Sequence, residues 1–119
     1  MKKLWMVWLA LGMAVACSQP PSGKMPITEF DPQAMPENAV LVDVRTPEEF
    51  GEGHLDGAQN INWMSPEFAN QWQDISKDRT VYVYCKVGGR SAKAAHFLDS
   101  LGYNVVDLTG GWDAYKAAQ

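Results

Sequence analysis

The segment Thr80 to Tyr84 constrains this chain more than any other. It reads Thr-Val-Tyr-Val-Tyr, β-branched or aromatic at every position, which suits a pleated strand. Its apolar character does not alternate, so both faces need covering. Such a strand belongs at the centre of a parallel sheet with helices on either side. Val40-Leu41-Val42-Asp43-Val44, Ala58 to Asn62 and Asn104 to Leu108 read as further strands, and Ile27 to Phe30 as an edge strand. Helical signals fall between them. Thr46 is an N-cap with Pro47 at the first helical position, and Ser65-Pro66 repeats that signature ahead of a helix to about Gln73. A helix from about Ser91 to Leu101 buries Ala94, Phe97, Leu98 and Leu101, stopping at Gly102. Gly110-Gly111 turns the chain into a closing helix over Trp112 to Ala118. The alternation predicts one α/β domain, with a central, mainly parallel sheet flanked by helices on both faces.

The N-terminus has a different character. Lys2 and Lys3 precede an apolar run from Leu4 to Val15, and Ala14-Val15-Ala16 offers small residues for cleavage. That layout predicts a signal peptide over residues 1–16. The run is shorter than the ~20 residues a membrane-spanning helix needs. Ala14-Val15-Ala16-Cys17 resembles a bacterial lipobox, with Ala14 where Leu is usual, so Cys17 is the candidate for lipidation. Ordinary cleavage to a soluble periplasmic protein fits the same residues. The Pro- and Ser-rich stretch that follows reads as a lipoprotein-type tether over residues 17–25, with the domain at 26–119. Ser18 after the Cys resembles an outer-membrane sorting signal. The expected location is the periplasm, anchored to a membrane (the outer one favoured) through acylated Cys17, or else soluble there.

Without Lys2 and Lys3, the ten basic residues become eight against fourteen acidic ones, a formal charge of −6. An acidic domain lacking a basic run argues against nucleic acid as a partner. If Cys17 is acylated, Cys85 is the sole thiol, and a lone thiol in an oxidising compartment asks for a reason.

Cys85-Lys86-Val87-Gly88-Gly89-Arg90 supplies one. In parallel sheets, ligands bind beyond the carboxyl ends of the strands, and Cys85 ends the best central strand. The glycine pair permits a loop whose N–H groups point inward at one spot, with a helix N-terminus behind. Lys86 and Arg90 add positive charge, and Arg90 would grip an oxyanion with two hydrogen bonds. These effects favour a thiolate at Cys85. The plainer alternative is an inert structural thiol beside an ordinary turn.

The chain resembles single-domain rhodaneses over about Ile27 to Lys116. Val42-Asp43-Val44-Arg45 with Pro47-Glu48-Glu49-Phe50 is similar to the family's first signature. Gly53-His54-Leu55-Asp56-Gly57-Ala58-Gln59-Asn60-Ile61 is similar to the second. Tyr84 to Ser91 resembles the active-site loop, and Leu108-Thr109-Gly110-Gly111-Trp112 the closing motif. Four matches in order and spacing carry what each alone does not. The resemblance implies a rhodanese-like fold and a thiosulfate sulfurtransferase-like enzyme without a cofactor. Cys85 would be the nucleophile, holding sulfane sulfur as a persulfide between a small sulfur-containing anion and a thiol or cyanide-like acceptor. Lys86, Val87, Gly88, Gly89 and Arg90 would bind the sulfur anion. Val87 departs from the Ser that many relatives carry.

Asp43 and Arg45 read as structural: Asp43 accepting backbone hydrogen bonds, Arg45 pairing with Glu48 or Glu49. His54 reads as satisfying backbone groups, His96 as a surface residue and Trp112 as a core anchor. Trp63 and Met64 would either wall the substrate entrance or simply pack. Two distant His and one available Cys make a poor metal set, so no metal is expected. Two other functions compete. A Cys-dependent phosphatase or arsenate reductase resembles Cys, five residues, then Arg, whereas four residues separate Cys85 from Arg90 here. A non-turnover carrier would deliver its persulfide to a protein partner.

Overall fold

The computed structural model describes residues 22–119. The expected signal peptide and Cys17 lie outside them. Five parallel strands form one sheet: β1 (Gly23–Pro26), β2 (Val40–Asp43), β3 (Gln59–Asn60), β4 (Thr80–Tyr84) and β5 (Asn104–Thr109), in the order β1-β5-β4-β2-β3. The central position falls to β4, as its two apolar faces demand. Side chains alternate across it. Val81, Val83 and Cys85 join the core on one face with Trp72, Ala94 and Leu98, while Tyr82 and Tyr84 join the core on the other with Ile27, Leu55 and Leu108. Helices α2 (Phe68–Gln71) and α3 (Gly89–Ser100) cover the first face. Helix α4 (Gly111–Ala117) covers the second, and α1 (Pro47–Glu52) follows β2.

The N-terminus of α1 forms as its sequence requires. Glu49 N–H donates to Thr46 Oγ1 at 3.2 Å, Thr46 N–H donates to Glu49 Oε1 at 3.0 Å, and Pro47 needs no amide partner there.

Four expectations are corrected. The edge strand is Gly23–Pro26 rather than Ile27–Phe30; Ile27–Glu29 is a 3-10 turn closed by Phe30 N–H on Ile27 O. The domain therefore begins before residue 26, because Gly23 to Met25, assigned to the tether, ladder against Val106 to Leu108. An edge strand needs only backbone partners, and hydropathy does not mark it. Ser65 does not cap α2: its Oγ takes the Glu67 N–H at 3.0 Å in a separate turn, and the helix starts at Phe68. Helix α3 starts at Gly89 rather than Ser91, and Leu101 stands 41% exposed beyond its end instead of in the core. Among the described residues, no helix is long and apolar enough to cross a membrane.

Candidate active site

Cys85 sits one residue past β4 and is 1% exposed. Its Sγ accepts the Gly88 N–H at 3.0 Å and donates to Ser91 Oγ at 3.6 Å. Gly88 has φ +120°, in the region that disfavours side chains, and this turns its amide back onto the sulfur. Gly89 has no positive φ and open space where a Cβ would stand, so only the first glycine of the pair is demanded by conformation. The turn around the sulfur is therefore Lys86–Gly88. Gly89, Arg90 and Ser91 already belong to the first turn of α3, whose N-terminal amides lie behind the thiol.

The two cations flank the loop but are committed elsewhere. Arg90 does not present a free fork: Nη1 and Nη2 reach Glu49 Oε1 and Oε2 at 2.8 and 3.1 Å. Lys86 Nζ lies 2.8 Å from Asp113 Oδ2. Glu49 is already fixed by its cap on Thr46, so its carboxylate faces Arg90 ready for both bonds. The hydrogen bond from Arg90 pulls Glu49 down to about 2, against burial. Arg90 is raised by that same bond, with smaller contributions from Cys85 and Asp43. A carboxylate with a lowered folded-state value stabilises the fold above the ordinary 4.5, and loses that contribution as pH falls toward about 2. Denaturation of wild type and Glu49→Gln from neutral to acid pH is expected to show a stability gap that is full above pH ~5 and closes towards pH ~2. Val87, 67% exposed, forms the rim.

Helix α4 closes the loop from the other face. Trp112 N–H donates to Cys85 O at 2.8 Å and Asp113 N–H to Lys86 O at 3.1 Å. Gly111, at φ +68°, permits this approach. A Cβ there would stand 2.4 Å from Lys86 O and 2.6 Å from Cys85 O.

Beneath the site lies a buried polar hub. Arg45 is 3% exposed, donates from Nη2 to Asp43 Oδ2 at 2.7 Å and also bonds Gly53 O. Its expected pairing with Glu48 or Glu49 does not form, because Asp43 lies two residues away on the same turn. Burial alone would lower Arg45, but the Asp43 carboxylate outweighs it. Asp43 Oδ1 accepts the Arg45 N–H at 2.9 Å, the backbone role expected of it. Burial pushes the Tyr84 hydroxyl up, and that hydroxyl takes the Leu55 N–H at 3.0 Å. Tyr84→Phe would strand this amide in the core and is expected to lower stability by about 1–3 kcal/mol, as urea denaturation would read.

His54 Nδ1 lies 2.8 Å from Phe50 O, the backbone contact expected, and His96 is exposed. Trp112 is half-buried over Arg45, 5.4 Å from its guanidinium carbon. Trp63 packs edge-on against Phe68 at 5.0 Å, and Met64 is 60% exposed. Sequence reasoning does not single out Ser91 beside the sulfur, the Glu49–Arg90 pair or the close approach of Gly111.

A parallel α/β sheet with a thiol at the end of its central strand, under a glycine turn and a helix N-terminus, defines a Cys-loop domain. The chain belongs to the rhodanese-like domain family, whose model matches residues 28–118. It is 38% identical over 85 residues to "Thiosulfate sulfurtransferase 16, chloroplastic" of Arabidopsis thaliana, covering 62% of this chain and 71% of that protein. It is 36% identical over 70 residues to "Thiosulfate sulfurtransferase PspE" of Escherichia coli, covering 59% and 67%. A crystal structure from Staphylococcus saprophyticus superposes with a TM-score of 0.68 at 31% identity, over 81% of this chain and 93% of that one.

Proposed function

We propose that the chain is a sulfurtransferase that carries sulfane sulfur on Cys85. The observation that carries this reading is the Gly88 N–H aimed at Cys85 Sγ at 3.0 Å, at the mouth of α3. An amide donor and a helix N-terminus favour negative charge on sulfur, as thiolate or as persulfide. The Cys85 thiolate attacks the outer sulfur of a donor such as thiosulfate. The donor's S–S bond breaks, sulfite departs with the bonding pair, and Cys85 holds the transferred sulfur as a persulfide anion. A thiophilic acceptor then attacks that sulfur; cyanide leaves as thiocyanate and the thiolate returns. Arg90, held by Glu49, contributes charge to the loop rather than a fork to the donor.

Burial of Cys85 favours a second reading. At 1% exposure, the thiol meets a donor only when the Lys86–Gly88 turn admits it. A carrier whose protein partner opens that turn would load sulfur yet turn over slowly with free acceptors. Intact mass after thiosulfate treatment tests the chemistry: one added sulfur on Cys85, removable by cyanide, is expected, and no gain overturns it. Multiple turnover to thiocyanate supports the enzyme; a single discharge supports the carrier.

The reading includes export, with residues 1–16 removed and Cys17 acylated, holding the domain at a periplasmic membrane surface. The fold is already engaged at Ser22, five positions after Cys17, where the Val105 N–H donates to Ser22 Oγ at 3.0 Å. A mature chain with an unmodified Cys17 thiol would overturn the anchor.

A further inference from the structure

Trp63 and Met64 follow β3 on the same edge of the sheet as Cys85. The Trp63 N–H donates to Val44 O and the Val44 N–H donates to Tyr84 O, so β2 alone separates this loop from the Cys85 loop. Two strand spacings are about 10 Å. Met64 is 60% exposed and Val87 67%; among the described residues, the one other large exposed hydrophobe is Leu101. Scattered exposed apolar residues are ordinary, but these two share an edge with the reacting thiol. Between Trp63 and α3 runs a groove of about 500 Å³, lined by Trp63, Ala92, Lys93, His96, Phe97 and Ser100. Its floor is fixed, because the Trp63 ring packs edge-on against Phe97 at 6.1 Å and Phe68 at 5.0 Å. From Ala92 to Ser100 the helix rises about 12 Å, the length of roughly four extended residues. The Ala92 end lies beside the sulfur loop: the Ala92 N–H bonds Gly88 O, and the Gly88 N–H bonds Cys85 Sγ.

The groove is charged unlike the rest of the chain. The chain carries a formal −4, yet no carboxylate lines the groove and a lysine does. Arg90 and Lys86 are paired with Glu49 and Asp113. Lys93 and His96 are exposed and, among the described residues, have no ion-pair or hydrogen-bond partner. We propose that the groove docks an extended segment, acidic and apolar, of a protein that accepts sulfur from Cys85. Its carboxylate meets Lys93, its apolar side chains cover Trp63 and Phe97, and its thiol arrives at Val87. The acidic remainder of the surface repels such a segment, so the groove also fixes where it lands. The acceptor sulfur then bonds the outer sulfur of the persulfide anion. The Cys85 S–S bond breaks with its pair on Sγ, the acceptor thiol's proton ends on Sγ, and the acceptor leaves as the persulfide anion.

The proposal rests on the sulfur-transfer reading and names the chemistry of its partner. The whole chain is loaded with thiosulfate and discharged to acetyl-Cys-Asp-Leu-Phe-amide, to the same peptide with Lys for Asp, and to one with Ser-Ser for Leu-Phe. Each rate is read relative to discharge by cyanide. At about 0.15 M salt, charges more than ~8 Å apart are largely screened, so the local charge decides. The acidic apolar peptide is expected to discharge about fivefold faster than either other one. Lys93→Glu, an exposed change between two good helix formers, is expected to reverse the order of the Asp and Lys peptides. Docking is read without sulfur chemistry by titrating the peptides, with Ser for Cys, into isotope-labelled unloaded protein. Nuclear magnetic resonance shifts are expected at the Trp63 indole N–H and the α3 amides, strongest for the acidic apolar peptide. Equal discharge and equal docking by the three peptides, or a preference that survives Lys93→Glu, overturns the proposal. So does a concentration-dependent dimer in sedimentation that Lys93→Glu abolishes, since the groove then seats a second copy. Docking that follows Lys93 in a protein that takes no sulfur supports the groove and defeats the sulfur-transfer reading. Sulfur uptake with indifference to the peptides does the reverse.

Discussion

With serine in place of Cys85, transfer of sulfur from thiosulfate to cyanide is expected to fall by more than about a thousandfold, to the uncatalysed background. The substitution is nearly isosteric, and its surroundings suit a hydroxyl. The Gly88 N–H remains to donate and Ser91 Oγ remains to pair, so the new oxygen is not stranded in the core. The stability change is therefore expected to stay within about 1 kcal/mol. What is lost is chemistry: an alcohol oxygen in this loop does not take a sulfane sulfur and release it reversibly. Thiocyanate formation and intact mass after thiosulfate, measured alongside a melting curve, check this. Retained turnover in the serine variant would move the reaction away from the loop altogether.

Gly111→Ala is expected to be the most damaging single methyl in the domain, costing about 3–5 kcal/mol. Two effects combine. At φ +68° an alanine is strained on its own account. Its Cβ would also fall 2.4 Å from Lys86 O and 2.5 Å from Lys86 C, which are backbone atoms that no rotamer change can move aside. Helix α4 would have to back away and release the amides that hold the Cys85 and Lys86 carbonyls. Loss of sulfur transfer should then exceed what unfolding explains, because the loop is deformed in the fraction that stays folded. Gly89→Ala is the control. Its Cβ would meet open space at an ordinary φ, so a nearly unchanged melting temperature is expected there. Equal damage at both positions would show that the approach of α4 is not what shapes the loop.

The strand that organises the sheet was legible because five consecutive residues with no polar face admit few other placements. Thr46 and Pro47 were legible because capping chemistry is local. The edge strand at Gly23 to Pro26 was not, since its ladder rests on backbone groups and its side chains are largely exposed. Leu101 fits the periodicity of α3 yet lies past its last turn, where the helix no longer faces the sheet. In the site, Cys85 and the glycine turn could be read from adjacent residues. The partners of Arg90 and Arg45 could not be read in the same way, because pairing depends on which carboxylate the fold brings within reach. Arg45 found Asp43 two residues before it, and Arg90 found Glu49 across the site. The contact of Gly111 with Cys85 and Lys86 joins residues far apart in the chain, and no spacing announces it.

That contact has a consequence for the order in which the molecule is made. The carbonyls of Cys85 and Lys86 find their amide donors at Trp112 and Asp113, in α4. A nascent polypeptide cannot finish the pocket until that helix, well downstream of the cysteine, has emerged and docked. The thiol thus acquires its setting only once α4 is in place, and fragments ending before that helix would carry the cysteine without the surroundings that make it useful.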